Sequence, residues 1–289
     1  MSDISEKVLQ AASSALTCFK DRRLLIHCIT NYVTVNDCAN ALLAAGPSPV
    51  MSHDPGEAAL VTASADALVL NLGATEYLTA MEASARAAAE SGIPMILDPV
   101  GSAGNPFRRE MAGRLMSLCK PAVIRGNAAE LLSLARDRSI GRGVDDSSEN
   151  AAQRTGIDED PELMAFARQS GCILCASGRT DRITDGRTLL FLENGCAMMG
   201  RVTGTGCMLS ALTGAFMAAG NTKKESMPEP QPPLFFAAAA AAFMGIAGEM
   251  ALERTLKCGG GTGSFHIALI DSLFLISEED LMERIRVRS

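Results

Sequence analysis

Tryptophan is absent from this 289-residue chain, tyrosine occurs twice, and aromatic residues amount to 4%. Proteins that stack bases on aromatic platforms need more than that. Basic residues are also in deficit: 26 Lys and Arg face 33 Asp and Glu, for a formal charge of −7 and an isoelectric point near 5.1. Nucleic-acid phosphates are gripped by clustered Lys and Arg, so no nucleic-acid partner is expected. No apolar run reaches the roughly 20 residues that cross a bilayer; the most apolar stretch, Leu234 to Gly248, stops short. The first twenty residues mix Asp3, Glu6, Lys7 and Lys20 with short apolar steps, unlike a signal peptide. Neither a membrane partner nor export is expected.

Histidine is scarce too, with three residues and no closely spaced Cys/His set. The nine cysteines are odd in number and scattered through apolar segments, which suits reduced thiols in the cytoplasm. Cys172 and Cys175 have C-x-x-C spacing but lie in a run that reads as a buried strand. Residues three apart on a strand point to opposite faces, so they are not expected to share a metal.

What the chain has in quantity is apolar residues, 47%, with 26 Gly and 12 Pro, enough for a substantial core. Length alone allows about two domains. Two segments read as loops: Ser139–Gly156, polar and glycine-rich, and Asn221–Pro233, with four prolines. Neither separates two plausible cores, so a single domain over residues 1–289 is expected.

Short apolar runs read as strands over Leu24–Cys28, Ser48–Met51, Ala67–Leu72, Pro94–Asp98, Ala122–Ile124 and Cys172–Ser177. Helix-length stretches fall between several of them, at Asp37–Ala45, Glu76–Ser91, Phe107–Cys119 and Pro161–Ser170. Strands apolar on both faces and separated by helices predict a mostly parallel sheet covered by helices. Gly46, Gly92 and Gly171 stand where a helix should stop before the next strand. Arg182–Thr184 and Thr188–Leu192 flank Asp185-Gly186, a hairpin signal. The C-terminal third reads as helical over Cys207–Ala219, Leu234–Leu256 and Ser264–Leu275.

The strongest chemical feature is Val202-Thr203-Gly204-Thr205-Gly206-Cys207, after apolar, strand-like residues ending at Met199 and before a helical run. Glycines before a helix leave backbone N–H groups open, and the helix dipole adds positive potential, which suits a phosphate or a developing anion. Such turns also serve packing alone, and this one matches neither a Walker A nor a dinucleotide fingerprint. Cys207 at the helix start is expected to have its thiol pKa lowered by the dipole, as a base or nucleophile. The alternative is a small residue that fits beneath the helix.

Asp98 in Met95-Ile-Leu-Asp-Pro-Val-Gly101 ends a buried strand at the carboxyl edge, where open α/β sheets bind ligands. Its carboxylate suits a magnesium ion, or it caps a turn. Ile124-Arg-Gly-Asn-Ala-Ala-Glu130 repeats the arrangement, with Arg125 and Asn127 just after a strand and Glu130 in the next helix's first turn. Arg125 offers bidentate phosphate recognition. Glu130 could share a metal with Asp98, and Asn127 to Glu130 is also a capping box. His27-Cys-Ile-Thr-Asn31, Ser48-Pro-Val-Met51 and Asn71-Leu-Gly73 each close a strand with residues that can line a small pocket. His27 reads as structural; His53 and His266 have no recognisable setting.

Taken in order from about Leu24 to about Phe265, and with Gly261-Thr-Gly-Ser-Phe265 added, these segments resemble the hydroxyethylthiazole kinases, ribokinase-like enzymes of thiamine biosynthesis and salvage. Most ribokinase-like kinases carry Asp where Cys207 stands, and Cys there is typical of the thiazole kinases. The resemblance implies a three-layer α/β/α sandwich and ATP-dependent phosphorylation of 4-methyl-5-(2-hydroxyethyl)thiazole. It assigns the thiazole pocket to Asn31, Val33, Met51, Asn71, Gly73 and Gly204, and nucleotide binding to Arg125, Asn127 and Ser177. It implies an anion hole at Gly204, Thr205, Gly206 and Cys207, with Cys207 catalytic, and Mg2+ near Asp98 and Glu130. It also implies a homotrimer with interfacial active sites, Met51 serving a neighbour's pocket. Where the family often has Thr-Gly this chain has Ser177-Gly178, and Gly261-Thr262-Gly263 replaces a more usual Gly-Pro-Gly.

Overall fold

The computed structural model describes residues 3–140, 159–222 and 231–289. Among them one sheet runs in the order β2-β1-β3-β4-β5-β6-β7-β8-β9. Its strands are β1 (Leu25–Ile29), β2 (Ser48–Val50), β3 (Ala67–Asn71), β4 (Met95–Asp98), β5 (Val123–Asn127), β6 (Ile173–Ser177), β7 (Asp181–Thr184), β8 (Leu189–Leu192) and β9 (Val287–Arg288). The pairs from β2 through β6 are parallel and those from β6 through β9 antiparallel. The mostly parallel sheet read from the alternation of runs is what the chain builds.

Alternate residues of the parallel strands feed two separate cores. Ala67 and Val69 join Ile26, Ile96 and Val123 on one face, beneath α1 (Asp3–Asp21), α2 (Val35–Ala45), α8 (Thr205–Thr222), α9 (Pro233–Lys257) and α10 (Thr262–Leu275). Leu68 and Leu70 join Met95, Leu97 and Ile124 on the other, beneath α4 (Leu78–Ser91), α5 (Pro106–Leu118), α6 (Ala128–Ile140) and α7 (Asp160–Ser170). Cys172 lies in the second core and Cys175 in the first, so the C-x-x-C pair is divided by the sheet. Two short helices complete the set, α3 (Ala58–Ala63) and α11 (Glu278–Arg284).

Several boundaries differ from the sequence reading, each for a physical reason. β5 extends through Arg125, Gly126 and Asn127, which were expected beyond the strand, because β6 offers Cys175, Ala176 and Ser177 as parallel partners. The apolar residues before the glycine turn form a 3-10 turn, Ala197–Arg201, rather than a strand. Met199 packs instead on α9, where a Cβ on Gly248 would meet its sulfur at 2.5 Å. α1 is not among the elements expected above, yet its Val8, Ala11, Ala12, Ala15, Leu16 and Phe19 recur at helical spacing and are buried. α9 matches the helix expected over Leu234–Leu256 to within a residue at each end, but its 25 residues, unlike the shorter apolar stretch ending at Gly248, are long and apolar enough by composition to cross a membrane. Its buried residues from Leu234 to Ala251 make it a core helix. The loops expected at Ser139–Gly156 and Asn221–Pro233 lie largely outside the described residues; their edges at Ser139–Ile140 and Asn221–Thr222 belong to α6 and α8.

Hairpin and cap signals hold. Gly186 has φ +87 between β7 and β8, and Asp185 Oδ1 accepts from the N–H groups of Arg187 and Thr188. Gly92 and Gly171 end α4 and α7 in the left-handed region, at φ +67 and +65, where Cβ-bearing residues are disfavoured. Since β1 lies between β2 and β3, the chain reverses its winding direction there, and a crevice opens at the carboxyl ends of β1 and β3.

Candidate active site

Asn31 follows β1, and its Oδ1 accepts from the N–H groups of Val33 and Thr34 at 3.1 and 3.2 Å. That fixes which end of the amide is oxygen and aims Nδ2 into the crevice. Nδ2 there donates to Asn71 Oδ1 at 3.2 Å and to Cys207 Sγ at 3.6 Å. Asn71, the last residue of β3, also receives the Gly73 N–H at Oδ1, 2.9 Å, and donates from Nδ2 to Cys207 Sγ at 3.4 Å. A Cβ on Gly73 would stand 2.7 Å from Asn71 Oδ1, so the turn depends on that glycine. Two amide donors, oriented by backbone contacts, thus converge on one sulfur.

Cys207 lies in the first turn of α8, whose leading N–H groups have no intrahelical partner. Gly204 has φ +88, and a Cβ there would meet Thr34 Cγ2 at 3.0 Å. The glycine turn therefore packs on the start of α2.

The expected depression of the Cys207 thiol pKa is corrected by the structure. Burial pushes it up, and the charge of Asp98 pushes it further; the contacts from Thr34, Asn31 and Arg125 oppose this without reversing it. Desolvation of the thiolate outweighs the donors around it.

Asp98, at the end of β4 and opposite Asn71 in register, is fully buried. Burial raises its pKa, opposed first by Arg125 and then by Ser210. Ser210 Oγ donates to Oδ2 at 2.7 Å, while Oδ1 has no hydrogen-bond partner. Arg125 reaches back from β5: NH1 stands 3.9 Å from Asp98 Oδ2, and NH2 donates to Ser177 Oγ at 2.7 Å. The guanidinium lies against the glycine turn, since a Cβ on Gly206 would be 2.7 Å from NH1. Asp98, Arg125, Ser177, Gly206 and Cys207 thus form one continuous site.

Glu130 accepts the Gly101 N–H at Oε1, 2.8 Å, and the Asn127 N–H at Oε2, 2.9 Å, while Asn127 Oδ1 receives the Glu130 N–H at 2.9 Å. The capping box exists, and the same carboxylate ties down the loop after Asp98. Among the described residues no group of three or more His, Cys, Asp or Glu could hold a metal. A buried carboxylate with one unpartnered oxygen, beside a second carboxylate, does fit a hard cation that takes most of its ligands from water and phosphate.

Val33 touches this cluster through its backbone, donating its N–H to Asn31 Oδ1, with the residue 55% exposed; Met51 follows β2, on the far side of β1 from Asn71. His27 is structural as read: fully buried, it bridges Ser52 O and Thr62 Oγ1, both at 2.8 Å, and burial lowers its pKa. His53 stacks on Tyr77 at 4.0 Å, and His266 Nε2 meets Asp37 Oδ1 at 2.9 Å. Sequence reasoning missed Thr34 and Ser210, which contact Asn31 and Asp98. Thr34 carried a weak signal, a hydroxyl just before a helix; Ser210 carried none, its partner lying 112 positions away.

A helix-covered, mostly parallel sheet with a glycine turn opening a helix beside strand-end Asp and Arg defines a ribokinase-like small-molecule kinase. A ribokinase-like superfamily protein from Enterococcus faecalis shares the fold at a TM-score of 0.59 and 11% identity, over 94% of each chain. The hydroxyethylthiazole kinase family model matches residues 16–279, and the chain belongs to that family. Among relatives named hydroxyethylthiazole kinase, that of Clostridium beijerinckii is 42% identical over 93% of this chain and 94% of its own. That of Methanocella arvoryzae is 40% identical over 96% and 98%. The solved structure of the hydroxyethylthiazole kinase protein from Pyrococcus horikoshii is 34% identical, with a TM-score of 0.79 over 96% of this chain and 98% of that one.

Proposed function

We propose that this chain transfers the γ-phosphoryl group of ATP to the hydroxyl of 4-methyl-5-(2-hydroxyethyl)thiazole, in the biosynthesis or salvage of thiamine diphosphate. The observation that carries the reading is the convergence of the Asn31 and Asn71 amides on Cys207, at the helix end that Arg125 also touches. One domain spanning the chain would do this in the cytoplasm, where its nine free cysteines stay reduced.

Phosphoryl transfer asks for positioning and charge neutralisation more than covalent chemistry. The alcohol oxygen would sit beside Cys207 Sγ, within reach of the Asn31 and Asn71 amides. The N–H groups of Gly204 to Cys207 would hold the transferring phosphoryl oxygens. Arg125, backed by Ser177, would neutralise the nucleotide phosphates, with Asn127 at the same strand end. Cys207 would take the alcohol proton or orient the hydroxyl; with its pKa raised, it does so best once ionised. Asp98 and Glu130 would hold Mg2+ near the nucleotide, where it would offset the charge of the phosphates.

The chain would assemble as a homotrimer. Tyr32, Val33, Leu43 and Ile267 are each more than half exposed on the β1–α2 turn, α2 and α10, a surface suited to a partner subunit. Met51, beyond β1 in its own chain, would then complete a neighbour's thiazole pocket.

ATP consumption with the thiazole alcohol, with hydroxymethylpyrimidine and with hydrated NADH tests the reading. Turnover with the thiazole alcohol alone is expected. Turnover with either other compound in its place overturns the assignment.

A further inference from the structure

A carboxyl group and a guanidinium, Asp98 and Arg125, face each other in a buried site, their side chains 0% and 12% exposed, yet they have not closed on one another. Their nearest approach, 3.9 Å, is roughly 1 Å longer than a charge-assisted hydrogen bond. Each also keeps a buried polar atom without a partner, Asp98 Oδ1 and Arg125 Nε. Opposite charges in so low a dielectric attract strongly, so something holds them apart.

The restraints are visible. Ser177 Oγ receives NH2 of Arg125 at 2.7 Å and draws the guanidinium toward β6. Ser210 Oγ, one turn into α8 beyond Cys207, donates to Asp98 Oδ2 at 2.7 Å and draws the carboxylate toward α8. The Ser210 oxygen also lies 3.3 Å from the Gly206 carbonyl. A hydroxyl has one proton, so while Asp98 is ionised that proton points at the carboxylate.

We propose that Ser210 is a positioning residue that keeps Asp98 from collapsing onto Arg125. Both charges then stay available to a bound nucleotide, the carboxylate to its cation and the guanidinium to its phosphates. The inference rests on the kinase reading only in naming those ligands. Without the Ser210 hydroxyl, Oδ2 loses its donor, the carboxylate swings to NH1, and Arg125 is neutralised before a phosphate arrives. The site then loses affinity even for nucleotide that carries no cation.

The test is calorimetric binding of ADP without magnesium to four proteins: the parent chain, Ser210→Ala, Arg125→Ala and the double variant. Ser210→Ala is expected to weaken ADP binding roughly tenfold while Arg125 is present and to be silent once Arg125 is gone, the signature of coupling. Parent-like affinity in Ser210→Ala overturns the proposal. So does an equal loss in both backgrounds, which would mark Ser210 as merely structural. Should the alanine variant not fold, Ser210→Cys decides: it keeps the size with a weaker donor, and parent affinity there also overturns the proposal. A parent that binds ADP yet phosphorylates no thiazole alcohol sinks the activity and leaves this positioning role standing. A parent that binds no ADP sinks both.

Discussion

The side-chain amide of Asn71 donates to the sulfur of Cys207 at 3.4 Å, across 136 residues of sequence. The contact joins the end of β3 to the start of α8 and gives the half-buried sulfur a donor that its thiolate form needs. Burial and the Asp98 charge still hold the Cys207 pKa above its ordinary value. The sign matters, because a raised pKa leaves less thiolate at neutral pH than a free thiol would have. Alkylation of Cys207 by iodoacetamide, followed by peptide mass spectrometry, should therefore be slower than that of a model thiol at pH 7 and accelerate as pH rises. Asn71→Ala, which removes one donor, should slow it further. An alkylation rate at pH 7 above the model thiol's would reverse the argument.

Gly206→Ala should separate the two substrates. Its new Cβ would stand 2.7 Å from Arg125 NH1, so the guanidinium must leave its seat between the glycine turn and Ser177. We expect KM for ATP to rise about tenfold, the scale of one charge-assisted hydrogen bond. KM for the thiazole alcohol should change by less than a factor of two or so. Steady-state kinetics with each substrate varied checks this; equal shifts in both constants would contradict it.

Asp98 and Glu130 should differ in what their removal does. Either change to Ala is expected to raise the magnesium concentration needed for half-maximal rate more than it raises thiazole KM. Glu130→Ala should also lower Tm, because the Gly101 and Asn127 N–H groups both lose their acceptor, at about 1–3 kcal/mol for each that water cannot reach. Magnesium titrations and thermal melts decide it. Unchanged titrations in both variants would remove the pair from the cation site.

Runs of apolar residues reported the parallel strands because burial on both faces leaves no polar alternation to blur them, as in Ala67–Asn71. Strand-end polar residues reported the site because the carboxyl edge is where such a sheet places ligands; Asn71, Asp98 and Arg125 all meet there. The extension of β5 stayed hidden, since its last residues pair only because β6 lies alongside. Local position at a helix start suggested a depressed thiol pKa, and burial reversed it. Ser210 looked like any small residue in an apolar helix, and its role depends on a strand end 112 positions earlier.

Assembly gives a prediction that needs no kinetics to begin. Light scattering should report a trimer, and Met51→Asp should weaken thiazole binding while ADP binding holds, since Met51 is separated from Arg125 and Ser177 by several strands. A monomer with full activity would sink the interfacial pocket.

Substitutions at Cys207 carry the mechanism. Cys207→Ala should cut kcat by roughly 10²–10⁴, the usual worth of a positioned proton acceptor. ATP affinity should be nearly unchanged, because the glycine turn offers backbone N–H groups that the substitution leaves in place. Asn31 Nδ2 and Asn71 Nδ2, which now point at sulfur from 3.6 and 3.4 Å, are two donors suited to a carboxylate. Cys207→Asp should therefore stay active: a carboxylate accepts from both amides and stands favourably at a helix N-terminus. The nearby Asp98 charge would oppose it, which should move the acid limb of the pH–rate profile upward relative to an isolated carboxylate. Steady-state kinetics on the folded variants separates a chemical role from a packing one. A Cys207→Ala enzyme turning over at the parent rate would make Cys207 a packing residue, and the alcohol proton would have to leave by another route.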